Sequence, residues 1–308
     1  MGDEVMRTTV LLMFLVLGVA ACAAERAEEE LPQRLDAPVS VVGFQTPESV
    51  LHDAAADVYL VSNINGQPLA KDDNGFISRV SPQGTVTTLR WIDGASGDVT
   101  LHAPKGMGLK ADTLFVADID VVRLFDRATG TPLGERPVPD ATFLNDIAVG
   151  PDGRVYVTDT GFRAGAEGFE PSGTAAVWRF DDAGQPERLV SGEALGAPNG
   201  ITASQGRLLV VGFATGAVTF IDTATGQIQA VPKPPAGQLD GVVRTGAGQH
   251  LISSWEGRAI YQMAPGGSYE TVVDGLEAPA DIGWDSTRNT LLIPLFMANE
   301  VRIVPLGS

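Results

Sequence analysis

Six tripeptides carry the residues whose types and spacing could do chemistry: Pro47-Glu48-Ser49, Pro104-Lys105-Gly106, Leu144-Asn145-Asp146, Pro198-Asn199-Gly200, Leu239-Asp240-Gly241 and Pro279-Ala280-Asp281. Each stands just ahead of an apolar, β-branched run, so the central residues Glu48, Lys105, Asn145, Asn199, Asp240 and Ala280 occupy one repeat position. Two of the six are carboxylates and two are carboxamides. Two carboxylates neutralise a divalent cation, and amide oxygens complete the shell of about 6–8 oxygens that Ca²⁺ prefers. Mg²⁺ suits the set less well, because it favours fewer protein ligands and a strict octahedron. Glu48, Asn145, Asn199 and Asp240 are therefore candidate ligands for Ca²⁺, or for another divalent cation such as Zn²⁺, Mn²⁺ or Mg²⁺. The same residue types also satisfy backbone groups at strand starts, a reading that Glu48 fits poorly.

The elements that must position these residues recur with them. Strand-like runs such as Val58-Tyr59-Leu60-Val61, Val155-Tyr156-Val157-Thr158 and Leu291-Leu292-Ile293-Pro294 follow each tripeptide, and third and fourth strands follow in most units. The tripeptide centres are spaced by 57, 40, 54, 41 and 40 residues, the period of propeller blades built from four short strands. No segment sustains a helical apolar pattern beyond two turns. The expected fold is all-β: a six-bladed β-propeller with four-stranded blades over residues 39–308. The last unit lacks a fourth strand, and Val39–Phe44 is expected to supply it and close the ring, leaving no free sheet edge.

Composition excludes several classes. The net charge of -17, from 21 basic and 38 acidic residues, rules out a protein that tracks nucleic-acid phosphates. A single cysteine excludes an intramolecular disulfide and a thiolate metal cluster. The three histidines, His52, His102 and His250, lack zinc-hydrolase spacing.

The stretches PESVLHD (47–53), PKGM (104–107), LNDIAVGPDGRVYVTDT (144–160), PNG (198–200) and LDGV (239–242), in this order and phase, resemble the SMP-30/gluconolactonase/LRE-like family of six-bladed propellers, which is itself similar to paraoxonases and diisopropylfluorophosphatase. The resemblance covers residues 39–308. It implies a catalytic Ca²⁺ or similar ion at the channel mouth on Glu48, Asn145, Asn199 and Asp240, with Asp240 as base or nucleophile. Such a cation acts as a Lewis acid on a lactone carbonyl or phosphoryl oxygen.

Lys105 departs from the ligand pattern. Beside a cation it could serve as a base of depressed pKa or bind a substrate carboxylate; it could equally pair with Glu48 or Asp240 and displace the ion. Asp146, next to a candidate ligand, either braces Asn145, touches a bound water or serves its turn. Two long connections, 63–75 and 160–175, are expected to form a rim over the site, with Lys71, His102, Arg163, Phe169 and Trp255 as candidate substrate contacts. Asp118, Asp120 and Asp159 end second strands at the same face and either line the pocket or cap turns. His52 and His250 read as surface residues.

The N-terminus reads as an address. Val10–Ala21 is apolar over twelve residues, too short to span a bilayer but suited to a secretory signal. Val19-Ala20-Ala21-Cys22 resembles a bacterial lipobox, which implies lipidation at Cys22. Residues 1–22 are thus expected to be a lipoprotein-type signal peptide and 23–38 an acidic flexible tether. The chain is expected to be exported and held by its lipid on the periplasmic or outer-membrane side. The leading expectation is a Ca²⁺-dependent hydrolase of a small-molecule lactone or related ester. The rival is a non-catalytic propeller that binds a ligand or protein; a redox or lyase activity on sugar acids is neither supported nor excluded. Nothing in the sequence reports an oligomeric state.

Overall fold

A computed structural model describes residues 33–307, apart from 167. The expected signal peptide, Cys22 and the first part of the expected tether lie outside the described residues. Six four-stranded antiparallel sheets form the blades, each running outward from its innermost strand: Pro47–Asp53, Pro104–Lys110, Leu144–Val149, Pro198–Ser204, Leu239–Arg244 and Gly283–Asp285. The expected closure is present: Val39–Val42 pairs with Glu300–Pro305 as the outermost strand of blade 6.

Alternating strand residues face the two neighbouring blades, so the core is divided into layers between sheets. Among the described residues, six of the seven apolar clusters fill the blade interfaces, one each. Leu60, Ile77, Met107, Leu114, Val116 and Phe125 fill the gap between blades 1 and 2. Val41, Val50, Tyr59, Val61, Leu292 and Ile303 fill the closing gap between blades 6 and 1.

Polar contacts reinforce that closure. Arg288, almost fully buried, donates to Asp57 and Asp285 at 2.6 and 3.0 Å, and Tyr59 Oη donates to Asp285 at 2.8 Å. His52, expected at the surface, is buried between Asp57 and Asp285, because its strand is tucked against blade 6. The end of the expected tether is held too: Gln33 O accepts from Arg288, Arg34 donates to Leu306 O, and Leu35 packs on the closing cluster. Among the described residues, no helix is long and apolar enough to cross a membrane.

Candidate functional site

The ring of six tripeptides owes its geometry to a repeated irregularity. In blades 1 to 5 the first strand pairs with the second at the first residue of the tripeptide, then slips, regaining register at the fourth: Pro47 to Val50, Pro104 to Met107, Leu144 to Ile147, Pro198 to Ile201, Leu239 to Val242. Such bulges re-aim a side chain while leaving backbone groups unpaired. In blades 1, 3 and 5 a hydroxyl from the second strand takes up the released N–H group. Ser62 Oγ accepts from Ser49 N at 2.9 Å, Thr158 Oγ1 from Asp146 N at 2.9 Å, and Ser253 Oγ from Gly241 N at 2.7 Å. Two of these hydroxyls also donate to the next blade, Thr158 to Asn199 O at 2.6 Å and Ser253 to Ala280 O at 2.8 Å. Backbones of adjacent blades nearly touch here. A Cβ at Gly106 would lie 2.4 Å from Asp146 Cα, and one at Gly200 would lie 2.3 Å from Asp240 O, so these positions require glycine.

Glu48, Lys105, Asn145, Asn199 and Asp240 all line one cavity of about 630 Å³ at the mouth of the channel. All five are nearly inaccessible to solvent. Among the described residues, five buried carboxyl or carboxamide oxygens have no hydrogen-bond partner, and four of them are Glu48 Oε2, Asn145 Oδ1, Asn199 Oδ1 and Asp240 Oδ1. Unmatched buried oxygens are costly, and four of them from residues lining one cavity ask for a partner there. The orientation of Asn145 is fixed: its Nδ2 donates to Thr160 Oγ1 at 3.1 Å, and Thr160 passes its own proton to Pro198 O, so Oδ1 is the atom left for the channel. The donor set fits a hard divalent cation. Among the described residues, no three His, Cys, Asp or Glu side chains are placed to hold a metal, so binding here depends on both carboxamides.

The local electrostatics also favour a cation. Burial, then the negative charges of Asp240 and Asp281, push the Glu48 carboxyl well above its usual range, while Lys105 pulls it down. Burial and Asp281 do the same to Asp240. The indole N–H of Trp255, short of a full hydrogen bond, opposes that rise at Asp240.

Lys105 is turned away from the ring oxygens. Its Nζ donates to Pro68 O at 3.0 Å and Ala103 O at 2.9 Å and lies 4.7 Å from the centre of the Phe143 ring. No ion pair links it to Glu48 or Asp240 among the described residues, so it does not occupy their oxygens. Burial lowers its ammonium to about 8, against the pull of Glu48 and Asp118. Asp146 faces the far side of the ring, where Oδ1 accepts from Ile147 N and Oδ2 from Ile201 N at 2.7 Å. It thereby ties the backbones beside Asn145 and Asn199 together.

Of the candidate rim contacts, Phe169 and Trp255 line the cavity. Lys71 does not, being held in an exposed pair with Asp120 at 2.6 Å. Arg163 pairs with Glu170 across a hairpin, Phe162–Gly165 with Gly168–Pro171, that projects from the 160–175 connection. His102 Nδ1 accepts from Asp73 N at 3.1 Å and braces the 63–75 loop. Asp118 and Asp159 cap backbone rather than face the pocket: Asp118 accepts from His102 N and Ala103 N, and Asp159 from Phe143 N and Gly161 N.

The residue after each second strand forms a second ring above the first, one that the tripeptide comparison does not single out. Asn63, Asp118, Asp159, Gly212, Ser254 and Leu295 pair with the first residues of the tripeptides. The residues that follow them are Ile64, Ile119, Thr160, Phe213, Trp255 and Phe296. All but Ile119 line the cavity, and Ile119 packs behind Ile64. The same repeat phasing, carried to the ends of the second strands, would find this collar.

No protein-family model matches the chain, and no curated protein matches its sequence. Solved structures do share its architecture. A gluconolactonase from Xanthomonas campestris is 19% identical with a TM-score of 0.69, the match covering 89% of this chain and 91% of that one. A streptogramin B lyase is 14% identical with a TM-score of 0.61, over 88% of this chain and 97% of that one. A chain of a nidogen/laminin complex is 19% identical with a TM-score of 0.54, over 70% of this chain and 75% of that one. A lactonase, a lyase and a component of a protein complex thus share this architecture, and function must be argued from the site. In fold, the chain is a six-bladed propeller like that of a gluconolactonase.

Proposed function

We propose that this protein is a divalent-cation-dependent hydrolase of a lactone or related ester, with Ca²⁺ as the cation that the donor set suits best. The observation that carries the reading is the convergence of four unpartnered oxygens, from Glu48, Asn145, Asn199 and Asp240, at a cavity large enough for a small-molecule substrate. When bound, a divalent cation polarises the carbonyl of an ester and stabilises the oxyanion that develops there. In this reading Asp240 takes the proton of the attacking water, the role that the family resemblance implies for it. Lys105, tied to Pro68 O and Ala103 O, fixes an ammonium beside the same cavity, where its positive charge favours the anionic transition state. With its ammonium at about 8, loss of that charge belongs to the alkaline side of neutrality. The lipobox-like Cys22 supports a further part of the proposal, a lipid anchor holding the propeller in a bacterial envelope.

Calcium titration by calorimetry on Ala23–Ser308 tests the centre of this reading. Binding is expected in the parent, to be lost in Asp240→Asn and kept in Lys105→Met, with lactone hydrolysis lost in Asp240→Asn. No heat with Ca²⁺, Zn²⁺ or Mn²⁺ would overturn the metallohydrolase reading in favour of a binding scaffold.

A further inference from the structure

The collar above the ligand ring restricts what the cavity takes, an inference that rests on the hydrolase reading above and deepens it. Aromatic side chains from four successive blades build its wall. Phe213 meets Trp255 edge-on with ring centres 5.5 Å apart, and Trp255 meets Phe296 at 5.1 Å. On the side of blade 3, Phe162 stacks on Phe169 at 6.2 Å, and Phe143 stands edge-on to both. Beyond Glu48, Lys105 and Asp240, no charged side chain lines the cavity among the described residues. Seven neutral polar side chains also line it: Asn145 and Asn199 belong to the ligand ring, Asn299 Oδ1 accepts from Thr46 N, and Thr160, the one polar member of the collar, is committed to Asn145 and Pro198, which leaves Thr46, Gln67 and Gln238 against the aromatic wall.

A polyhydroxylated sugar lactone fits such a wall badly. An aromatic face can stack on one side of a sugar ring, but each hydroxyl at the edge still needs a partner. A buried hydroxyl without one costs about 1–3 kcal/mol. An alkyl or aryl arm makes no such demand and gains from every apolar group it buries. We infer that the substrate is a lactone bearing an apolar substituent, whose carboxyl end meets the ligand ring and whose hydrocarbon arm lies along the collar.

The test compares kcat/KM of Ala23–Ser308 on γ-butyrolactone, γ-hexalactone, γ-octalactone and γ-decalactone with that on glucono-1,5-lactone, at saturating Ca²⁺. Each added methylene is expected to raise kcat/KM about 2- to 4-fold until the collar is filled, with the sugar lactone the poorest substrate. Phe213→Ala should flatten this chain-length dependence, and should lower kcat/KM on γ-decalactone about 10-fold or more. A flat series in the parent, or glucono-1,5-lactone hydrolysed as well as γ-decalactone, overturns the inference. If no lactone is hydrolysed, the hydrolase reading fails, and calorimetry with two lactams decides the collar's preference separately. Tighter binding of the lactam analogue of γ-decalactone than of gluconolactam sustains an apolar site. Equal or reversed affinities refute it.

Discussion

Glu48, Asp146, Asp240 and Asp281 share the centre of the channel with one ammonium, Lys105, and burial raises the proton affinity of each of the four carboxyls. Asp281 is the group whose titration falls in reach: burial lifts it to about 7, although Ser49 donates to it. In the unfolded chain its carboxyl titrates near ~3.9. Between these values the folded protein keeps a proton that the unfolded chain releases, so stability from this group is complete below about pH 4 and is lost as pH rises through about 7. In a chelator, Tm is therefore expected to fall from pH 5 to pH 8, and Asp281→Asn should flatten the decline. Ca²⁺ should reverse it at the upper end, where the carboxylates are ionised and attract the cation. A Tm that rises with pH in the chelator, or a slope unchanged by Asp281→Asn, would sink this account. Asp281 also shows where sequence reading stops at this scale. The sixth tripeptide places Ala280 in the ring, so comparing ring positions passes over the neighbour that charges the channel. Lys105 was legible as the odd member of the ring, but its partners were not, because both are backbone carbonyls of loops whose path no residue type reveals.

In blades 1 to 5 the first and second strands hold the ring through bulges, and in three of these a hydroxyl that satisfies the bulge is its support. Thr158 accepts from Asp146 N and donates to Asn199 O, so it joins the backbones of two blades that each supply a candidate ligand. Thr158→Val keeps the volume and leaves both groups unmatched, which costs about 1–3 kcal/mol. Denaturant unfolding should register that loss, and calcium affinity should fall although no ligand has been changed. Thr219→Val is the comparison: its hydroxyl, on the third strand of blade 4, is also buried but makes only a 3.5 Å contact to Val210 O of the same blade. If both variants bind Ca²⁺ like the parent, the bulge hydroxyls do not position the ligands. Strand order and blade phase were readable because apolar runs and tripeptides repeat. The bulges were not, since Ser62, Thr158 and Ser253 look like ordinary strand residues. The surroundings of the rim charges were not legible for a related reason. Lys71 and Arg163 carry charge on long loops, but hairpin pairing and loop packing set Asp120 and Glu170 beside them, and neither side chain lines the cavity.

A propeller is a ring, so the channel exists only when the ring is closed, and here the closing interface joins two distant parts of the chain. Val39–Val42 pairs in register with Glu300–Ile303, Ser40 Oγ donates to Glu300 at 2.6 Å, and Val41 enters the cluster between blades 6 and 1. Arg288 and Asp285 lock the same seam and are both almost fully buried. Glu48 lies on the first strand beyond it, with Glu48 O accepting from Asp281 N across the seam at 2.9 Å. Cation binding and ring closure are therefore expected to be coupled, since an ion that binds only the closed ring stabilises it in proportion to the logarithm of its concentration. A chain beginning at Gly43 keeps every candidate ligand but exposes Glu300–Pro305 as a free edge. It should melt at lower temperature, bind Ca²⁺ more weakly than Ala23–Ser308, and self-associate in light scattering. Arg288→Met tests the seam without creating an edge. Leaving Asp285 buried without its cation should cost about 3–5 kcal/mol, and Ca²⁺ should restore part of the lost Tm. Should the shortened chain and Arg288→Met both keep the calcium affinity of the parent, blades 1 and 6 would be held together by the core alone, and the ligand ring would be indifferent to how the circle is closed.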